Sequence, residues 1–422
     1  MSRRPGLGPA FGNLFTANLA SSLGDGIART AIPLLAARLT SDPVLISVIA
    51  ALAMLPWLFF AIPSGIVIDR VDRRRALAVA QAVRTALGVL LVVLVATDEL
   101  TIWWLYIVIF VYGAFETLYD GAIRAVVPSI VARENLPRAN SRIEGGELVV
   151  QNFVSGPLTS ALFAVSVLIP LGLNGLVFAV AGALALALPR AASGLQFEDA
   201  DAGPRPAWYR QFADGFRFIL GHRQLRILWF LTIFIGIATS AATATWVLFV
   251  LETLEVPEAW FGVFMITGAV GGIIGAAITD RLKRWWGAGT TMGVMSALSG
   301  AAFLFAGLVP TVWGGAIGFA VSSLAITTWN ILIMSLRQSI IPGGLLGRVH
   351  GAWRTLLWGT MPIGSLLGGA IATGSLALPL LVGGGAAMLA SLAFFPFLRS
   401  LPNPEDVVQD DGAGPTDPLA AQ

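Results

Sequence analysis

Long apolar stretches separated by short polar ones run through most of this chain. Twelve of them approach the roughly 20 mostly apolar residues needed to cross about 30 Å of hydrocarbon as a helix. They cover about 14–37, 44–68, 76–97, 102–124, 147–168, 171–189, 227–251, 260–280, 287–309, 312–336, 350–374 and 377–398. Only Pro170 and a glycine-bearing stretch divide the fifth from the sixth. The first is full length and continues into the patterned chain, unlike a cleaved signal. The pattern predicts an all-α membrane protein.

Between spans 6 and 7 the character changes. Residues 190–226 form a polar linker with Pro204 and Pro206, in which Trp208, Phe212, Phe216 and Ile219 recur at helical spacing opposite Arg210 and Arg217. A short amphipathic helix lying in the membrane interface is expected there. From Pro402 the chain is acidic and bears Pro and Gly, the composition of a disordered tail. The predicted organisation is a six-helix bundle over 1–189, the linker over 190–226, a second bundle over 227–400 and a tail over 401–422.

Composition sharpens this. Of 422 residues 56% are hydrophobic and 12% charged, and mean hydropathy is +0.80. Soluble domains carry about 25% charged residues. Cysteine is absent, which excludes disulfides and thiolate metal sites, and a net charge of +2 is too small to point to nucleic acid.

The distribution of arginine carries more information than its total. Arg3 and Arg4 precede span 1, Arg70 to Arg75 follow span 2, Arg133 and Arg138 follow span 4, and Arg190, Arg205, Arg210, Arg223 and Arg226 follow span 6. Arg281, Lys283 and Arg284 follow span 8, Arg337 and Arg348 flank the loop after span 10, and Arg399 follows span 12. All are even-numbered loops. The odd loops hold acids or nothing, except for Arg38. Positive residues mark cytoplasmic loops, so twelve spans with both termini inside are expected.

The densest charge cluster lies in "SGIVIDRVDRRRALAV" (64–79), and it has a partial second copy in "GAAITDRLKRWW" (275–286), with Asp280 and Arg281 matching Asp69 and Arg70. "YDGAIRAVVPSIV" (119–131) aligns in the same way with "WNILIMSLRQSII" (329–341). Two six-span halves in parallel repeat explain both, an arrangement found in secondary transporters with a midplane site between halves.

Gly65-x-x-x-Asp69-Arg70 followed by Arg73-Arg74 resembles the loop 2–3 signature of the major facilitator superfamily, over roughly residues 11–400. "SSLGDGIARTAIPLL", "RENLPRAN" and "LLGRVHGAWRTLLWG" resemble its macrolide-efflux and enterobactin-exporter branch. The resemblance implies that Asp69, Arg70, Arg73 and Arg74 latch the cytoplasmic helix ends when the protein faces outward. In the second copy Ala276 replaces the signature glycine, which weakens the parallel for Asp280 and Arg281. "NFVSGPLTSA" in span 5 resembles the antiporter motif at Gly156 and Pro157, with Asn152 and Ser160 in place of flanking glycines; its bland alternative is a packing kink.

Charges within the spans are costly, about 2.5–3.5 kcal/mol or more each at the bilayer centre, and tend to face a cavity or a partner. Asp25 and Arg29 in span 1 share a face, as do Glu116, Asp120 and Arg124 in span 4, while Arg84 lies in span 3 and Arg354 in span 11. Structural ion pairs are one reading. The other, favoured by resemblance to proton-coupled exporters, is a proton carrier at Asp25, Glu116 or Asp120, with Asp25 nearest mid-span and Arg29 and Arg124 as counter-charges. The second half offers Thr243, Trp246, Trp329 and Asn330, a hydroxyl and aromatic wall suited, together with Arg354, to a bulky amphiphile.

Lys283 is the only lysine and no phosphate-binding loop occurs; hydrolase and zinc signatures are also missing. Neither an enzyme, a cofactor nor a metal site is expected. The reading is a monomeric, proton-coupled exporter of a hydrophobic drug-like compound or siderophore-type metabolite in a bacterial cytoplasmic membrane. A lipid or lysophospholipid flippase and a non-transporting sensor or scaffold are the alternatives.

Overall fold

The computed structural model describes residues 7–193 and 208–407, which form helices and no strand. The expectations for Arg3, Arg4, Pro204, Pro206 and the end of the tail lie outside these residues, as do those for the side chains of Asp69, Trp208 and Arg210.

In the first half, α1 is Pro9–Leu39, α2 Pro43–Arg70, α3 Arg73–Ala96, α4 Ile102–Ile130, α5 Arg133–Val165 and α6 Leu168–Leu186. A linker helix, Trp208–Gly221, leads to α7 Arg223–Thr243, α8 Glu258–Trp286, α9 Ala288–Leu308, α10 Val312–Ile340, α11 Gly343–Ala372 and α12 Leu378–Ala393. Ten of these are long and apolar enough to cross a membrane. The remaining two of the twelve are α12, apolar but only 16 residues long, and α1, which has 31 residues but carries Asp25 and Arg29.

Local chemistry sets the helix ends. Asp42 accepts a hydrogen bond from the Val44 amide at 2.8 Å and Asp72 one from the Arg74 amide at 2.9 Å, satisfying amides that have no intrahelical partner. Pro9 and Pro43 open their helices, where the missing N–H costs nothing.

Three boundaries differ from expectation. α5 starts at Arg133, well before the apolar stretch, with a 3-10 turn over Arg133–Asn135 and then Pro137 in the first turn of the α-helix, where its missing N–H costs nothing. The break before α6 falls at Ser166, with Pro170 already inside the helix. α7 ends at Thr243, and Trp246–Leu248 and a π turn over Phe249–Thr253 follow as a separate segment.

Exposed tryptophans ring both ends, with Trp103, Trp260 and Trp313 near the odd loops and Trp285 and Trp286 near the even ones, the placement of interfacial belts. The linker helix is amphipathic as expected, but it packs on protein. Ile219 is fully buried, Phe212 and Phe216 join the same core, and Asp214 pairs with Arg348 at 3.3 Å.

Across the halves, α2 runs along α11 and α5 along α8. At the odd-loop end these contacts are tight. A Cβ on Gly156 would lie 3.2 Å from the Gly262 carbonyl oxygen, one on Gly369 would lie 3.0 Å from the Pro43 carbonyl oxygen, and the Gly262 amide donates to Ser160 Oγ at 2.7 Å. At the even-loop end, Gly65, Gly145, Gly343, Gly347 and Gly351 would each meet nothing within 4 Å. The molecule is closed at one end and parted at the other.

Candidate functional site

The first-half charges resolve into two groups. Asp25 and Arg84 form an ion pair buried among α1, α3, α4 and α6, with Arg84 fully inaccessible. Tyr112 donates to Asp25 at 2.8 Å while accepting from Arg84 at 2.9 Å, and Ser21 accepts from Arg84 at 3.2 Å and from Gln81 at 2.8 Å. The guanidinium also lies over the rings of Phe178 and Tyr112, 4.1 and 4.5 Å from their centroids.

Arg29, four residues beyond Asp25, pairs elsewhere. It reaches Glu116 on α4 at 3.2 Å and Gln151 on α5 at 3.1 Å. The shared-face pairing of Asp25 with Arg29 is therefore corrected: α1 lies between helices offering each of them a nearer partner. Asp120, half-buried one turn beyond Glu116, has no ion pair or hydrogen bond among the described residues, and Arg124 is exposed.

On the parted, even-loop side a cavity of about 330 Å³ lies between the halves. Trp57 and Ala61 of α2, Phe212 of the linker helix and Arg348, His350 and Arg354 of α11 line it, with Trp358 at its inner edge. Trp57 and Trp358 meet across the halves with ring centroids 6.1 Å apart, and the Arg354 guanidinium sits 4.8 Å from the Trp57 ring and 5.6 Å from the Trp358 ring.

Of the expected cavity residues, only Arg354 lines this space. Trp246 is buried at the closed end against Phe249, Phe264 and Phe319, because the chain turns away after Thr243. Trp329 belongs to the core of the second half, Asn330 is exposed outside the cavity, and Thr243 donates to the Thr239 carbonyl. Trp57, Trp358 and Tyr112 escaped the sequence reading. The i, i+4 spacing of Arg354 and Trp358 was the available signal, since it stacks the two side chains on one helix face.

The charged turn between α2 and α3 acts within the first half. Arg73 donates to the Ala125 carbonyl of α4 and Arg74 to the Leu188 carbonyl beyond α6, both at 2.9 Å, tying the start of α3 to both of these neighbours. Arg70 and Gly65 are exposed at the parted end, as is Asp280, while Arg281 lies over the Trp285 ring at 4.5 Å. Gly156 and Pro157 lie at the α5–α8 crossing, where Gly156 faces Gly262.

Arg38, the charge out of place in the loop pattern, has its explanation at the closed end. It makes a two-pronged bond to Glu258 across the halves, at 2.5 and 3.0 Å, with its guanidinium 4.5 Å from the Phe163 ring centroid. Both partners are partly exposed, so Glu258→Gln is expected to change thermal stability by less than about 1 kcal/mol. It is expected to increase labelling of a cysteine introduced near this end, with the swap Arg38→Glu plus Glu258→Arg restoring protection. Unchanged labelling in the single variant would count against a gating role.

Paired helical halves around a cavity accessible from one end define a major-facilitator-type membrane transporter, not an enzyme. The chain belongs to the family of transmembrane secretion effectors, whose model matches residues 5–419. Among curated relatives, the multidrug efflux pump Tap of Mycobacterium tuberculosis is 27% identical over 389 residues, 87% of this chain and 88% of its own. Macrolide efflux protein A of Streptococcus pyogenes is 20% identical over 365 residues, 85% of this chain and 88% of its own. Among solved structures, a variant of the nucleoside transporter NupG superposes with a TM-score of 0.73 at 13% identity, covering 92% of this chain and 99% of that one. A bacterial homologue of the iron transporter ferroportin in an inward-facing state gives 0.71 at 20% identity, covering 94% and 100%.

Proposed function

We propose that this protein is a monomeric, proton-coupled exporter of amphiphilic, drug-like or siderophore-type small molecules in a bacterial cytoplasmic membrane. Both termini and the arginine-rich turns face the cytoplasm, and the two halves rock about the cavity. The reading rests above all on the cavity between the halves being parted at the arginine-bearing end and shut at the other. With that end inside by the positive-inside rule, this is the state that loads substrate from the cytoplasm. The efflux relatives support the direction of transport.

Glu116 and Asp120 are the carboxylates best placed to carry protons. Asp25 is held in its buried pair with Arg84 and Tyr112, away from the opening between the halves. Glu116 shares Arg29, and Asp120 has no fixed counter-charge. Rocking that moves Asp120 between a wet opening and a closed interior changes its solvation, and desolvation favours the protonated form of a carboxylate. The α2–α3 turn, with Asp69, Arg70, Arg73 and Arg74, would close the cytoplasmic end in the opposite state.

Proteoliposomes carrying an internal pH dye test this. Substrate addition is expected to drive proton movement in the wild type, and Asp120→Asn is expected to abolish that movement while leaving substrate binding within about threefold. Intact coupling in both Asp120→Asn and Glu116→Gln would refute the assignment to these two carboxylates.

A further inference from the structure

The cavity has a polarity that its relatives' names do not specify. Its charged and ring-nitrogen groups are all hydrogen-bond donors. Arg348 and Arg354 have no acceptor atoms. His350 is bonded through Nδ1 to buried Arg337, and because a guanidinium only donates, Nδ1 accepts and the ring proton belongs on Nε2. Arg348 is engaged by Asp214 at 3.3 Å. Arg354 is not engaged: among the described residues it has no carboxylate or carbonyl partner, and its contacts are the faces of Trp57 and Trp358. Stacking on indoles positions a guanidinium without neutralising it.

Across the opening, Glu116 is taken by Arg29, while Asp120 and Arg124 lie within electrostatic range of Arg354 and are of opposite sign. The cavity therefore presents an uncompensated positive charge beside an aromatic wall, in a volume at the small end of the range for ligand pockets.

Resting on the transport reading above, we infer that the cavity selects molecules that carry an acidic group, such as a carboxylate or phenolate, on a flat aromatic body. Arg354 binds the acid, and Trp57 and Trp358 contact the ring system. An acid bonded to a planar guanidinium is a charge-assisted contact, whereas a cationic amine of the same shape would meet the like charge of Arg354, with the Thr355 hydroxyl rather than a carboxylate as the lining side-chain acceptor.

Pyrenebutyrate and its neutral isostere pyrenebutyramide test the inference on purified full-length protein, read by energy transfer from tryptophan to pyrene. The acid is expected to bind at least about tenfold more tightly than the amide, in keeping with one charge-assisted bond. Arg354→Gln is expected to bring the two within about twofold by weakening the acid alone, and Arg354→Lys to keep part of the preference. Size-exclusion profiles confirm that the variants are folded. Equal binding of acid and amide to the wild type, or an undiminished preference in Arg354→Gln, would overturn the inference.

Uptake of both probes into proteoliposomes separates it from the proposed function. If the amide or a cationic dye such as ethidium is moved without preference for the acid, transport stands and acid selectivity fails. If binding is acid-selective and dependent on Arg354 while nothing is moved, the site stands and transport fails.

Discussion

Replacing Arg84 with methionine is expected to leave little folded protein. Arg84 is fully buried, and its removal strands Asp25 among α1, α3, α4 and α6 with only Tyr112 to stabilise it. Breaking one side of a buried ion pair costs about 3–5 kcal/mol, against marginal total stabilities of about 5–15 kcal/mol. Asp25→Leu alone is expected to do similar harm by leaving the guanidinium uncompensated over the Phe178 and Tyr112 rings.

The double variant, Asp25→Leu with Arg84→Met, is expected to recover most of the loss, because a dry apolar pair of similar volume carries no charge to desolvate. Thermal unfolding of the detergent-purified proteins, followed by size-exclusion chromatography, reads all three. A stable Arg84→Met protein, or a double variant no better than the singles, would show that the pair is not a structural unit. Transport by a well-folded double variant would further show that Asp25 is dispensable for coupling.

The second large effect is conformational. Gly262→Leu is expected to leave the protein folded yet unable to transport, because a side chain there has no space at the closed end. Even a Cβ at Gly262 runs into the Gly156 carbonyl and comes within 2.7 Å of the Pro157 nitrogen, and backbone cannot step aside as a flexible side chain can. Overpacking of this kind costs about 1–3 kcal/mol or more, borne only by the state in which α5 and α8 touch. A bias of about 3 kcal/mol shifts a two-state equilibrium more than a hundredfold, so the halves should stay parted there.

The absence of native cysteine makes the measurement direct. Ser47 is fully buried where Gly369 closes over it, and a Ser47→Cys reporter should become reactive in the Gly262→Leu background and remain protected otherwise. Equal protection in both backgrounds, or normal transport by Gly262→Leu, would mean that the α5–α8 contact is not the closure.

Different parts of the molecule were unequally legible in the sequence. The caps at Asp42 and Asp72 are local, since an N-cap side chain bonds only the next few amides of its own helix. The pairing of Asp25 was misread for the complementary reason. Spacing along one helix places Arg29 on the same face, but it says nothing of Arg84 on α3 or Glu116 on α4. Trp246 looked like a cavity residue while α7 was taken to run straight through it; the break after Thr243 turns it into the closed end.

What the sequence determined by itself is the class: an all-helical membrane chain whose basic residues gather in every second loop, and so on one side. These follow from quantities summed along the chain, since hydrocarbon thickness sets span length and each loop's arginine content can be counted where it stands. Which end is shut, that Arg38 is matched by Glu258, and that Trp57, Arg354 and Trp358 share one cavity were decided only in three dimensions. In a bilayer most faces of a helix are apolar, so hydrophobic pattern scarcely marks which face meets which neighbour. Contacts between residues hundreds of positions apart depend on how the helices are rotated and packed.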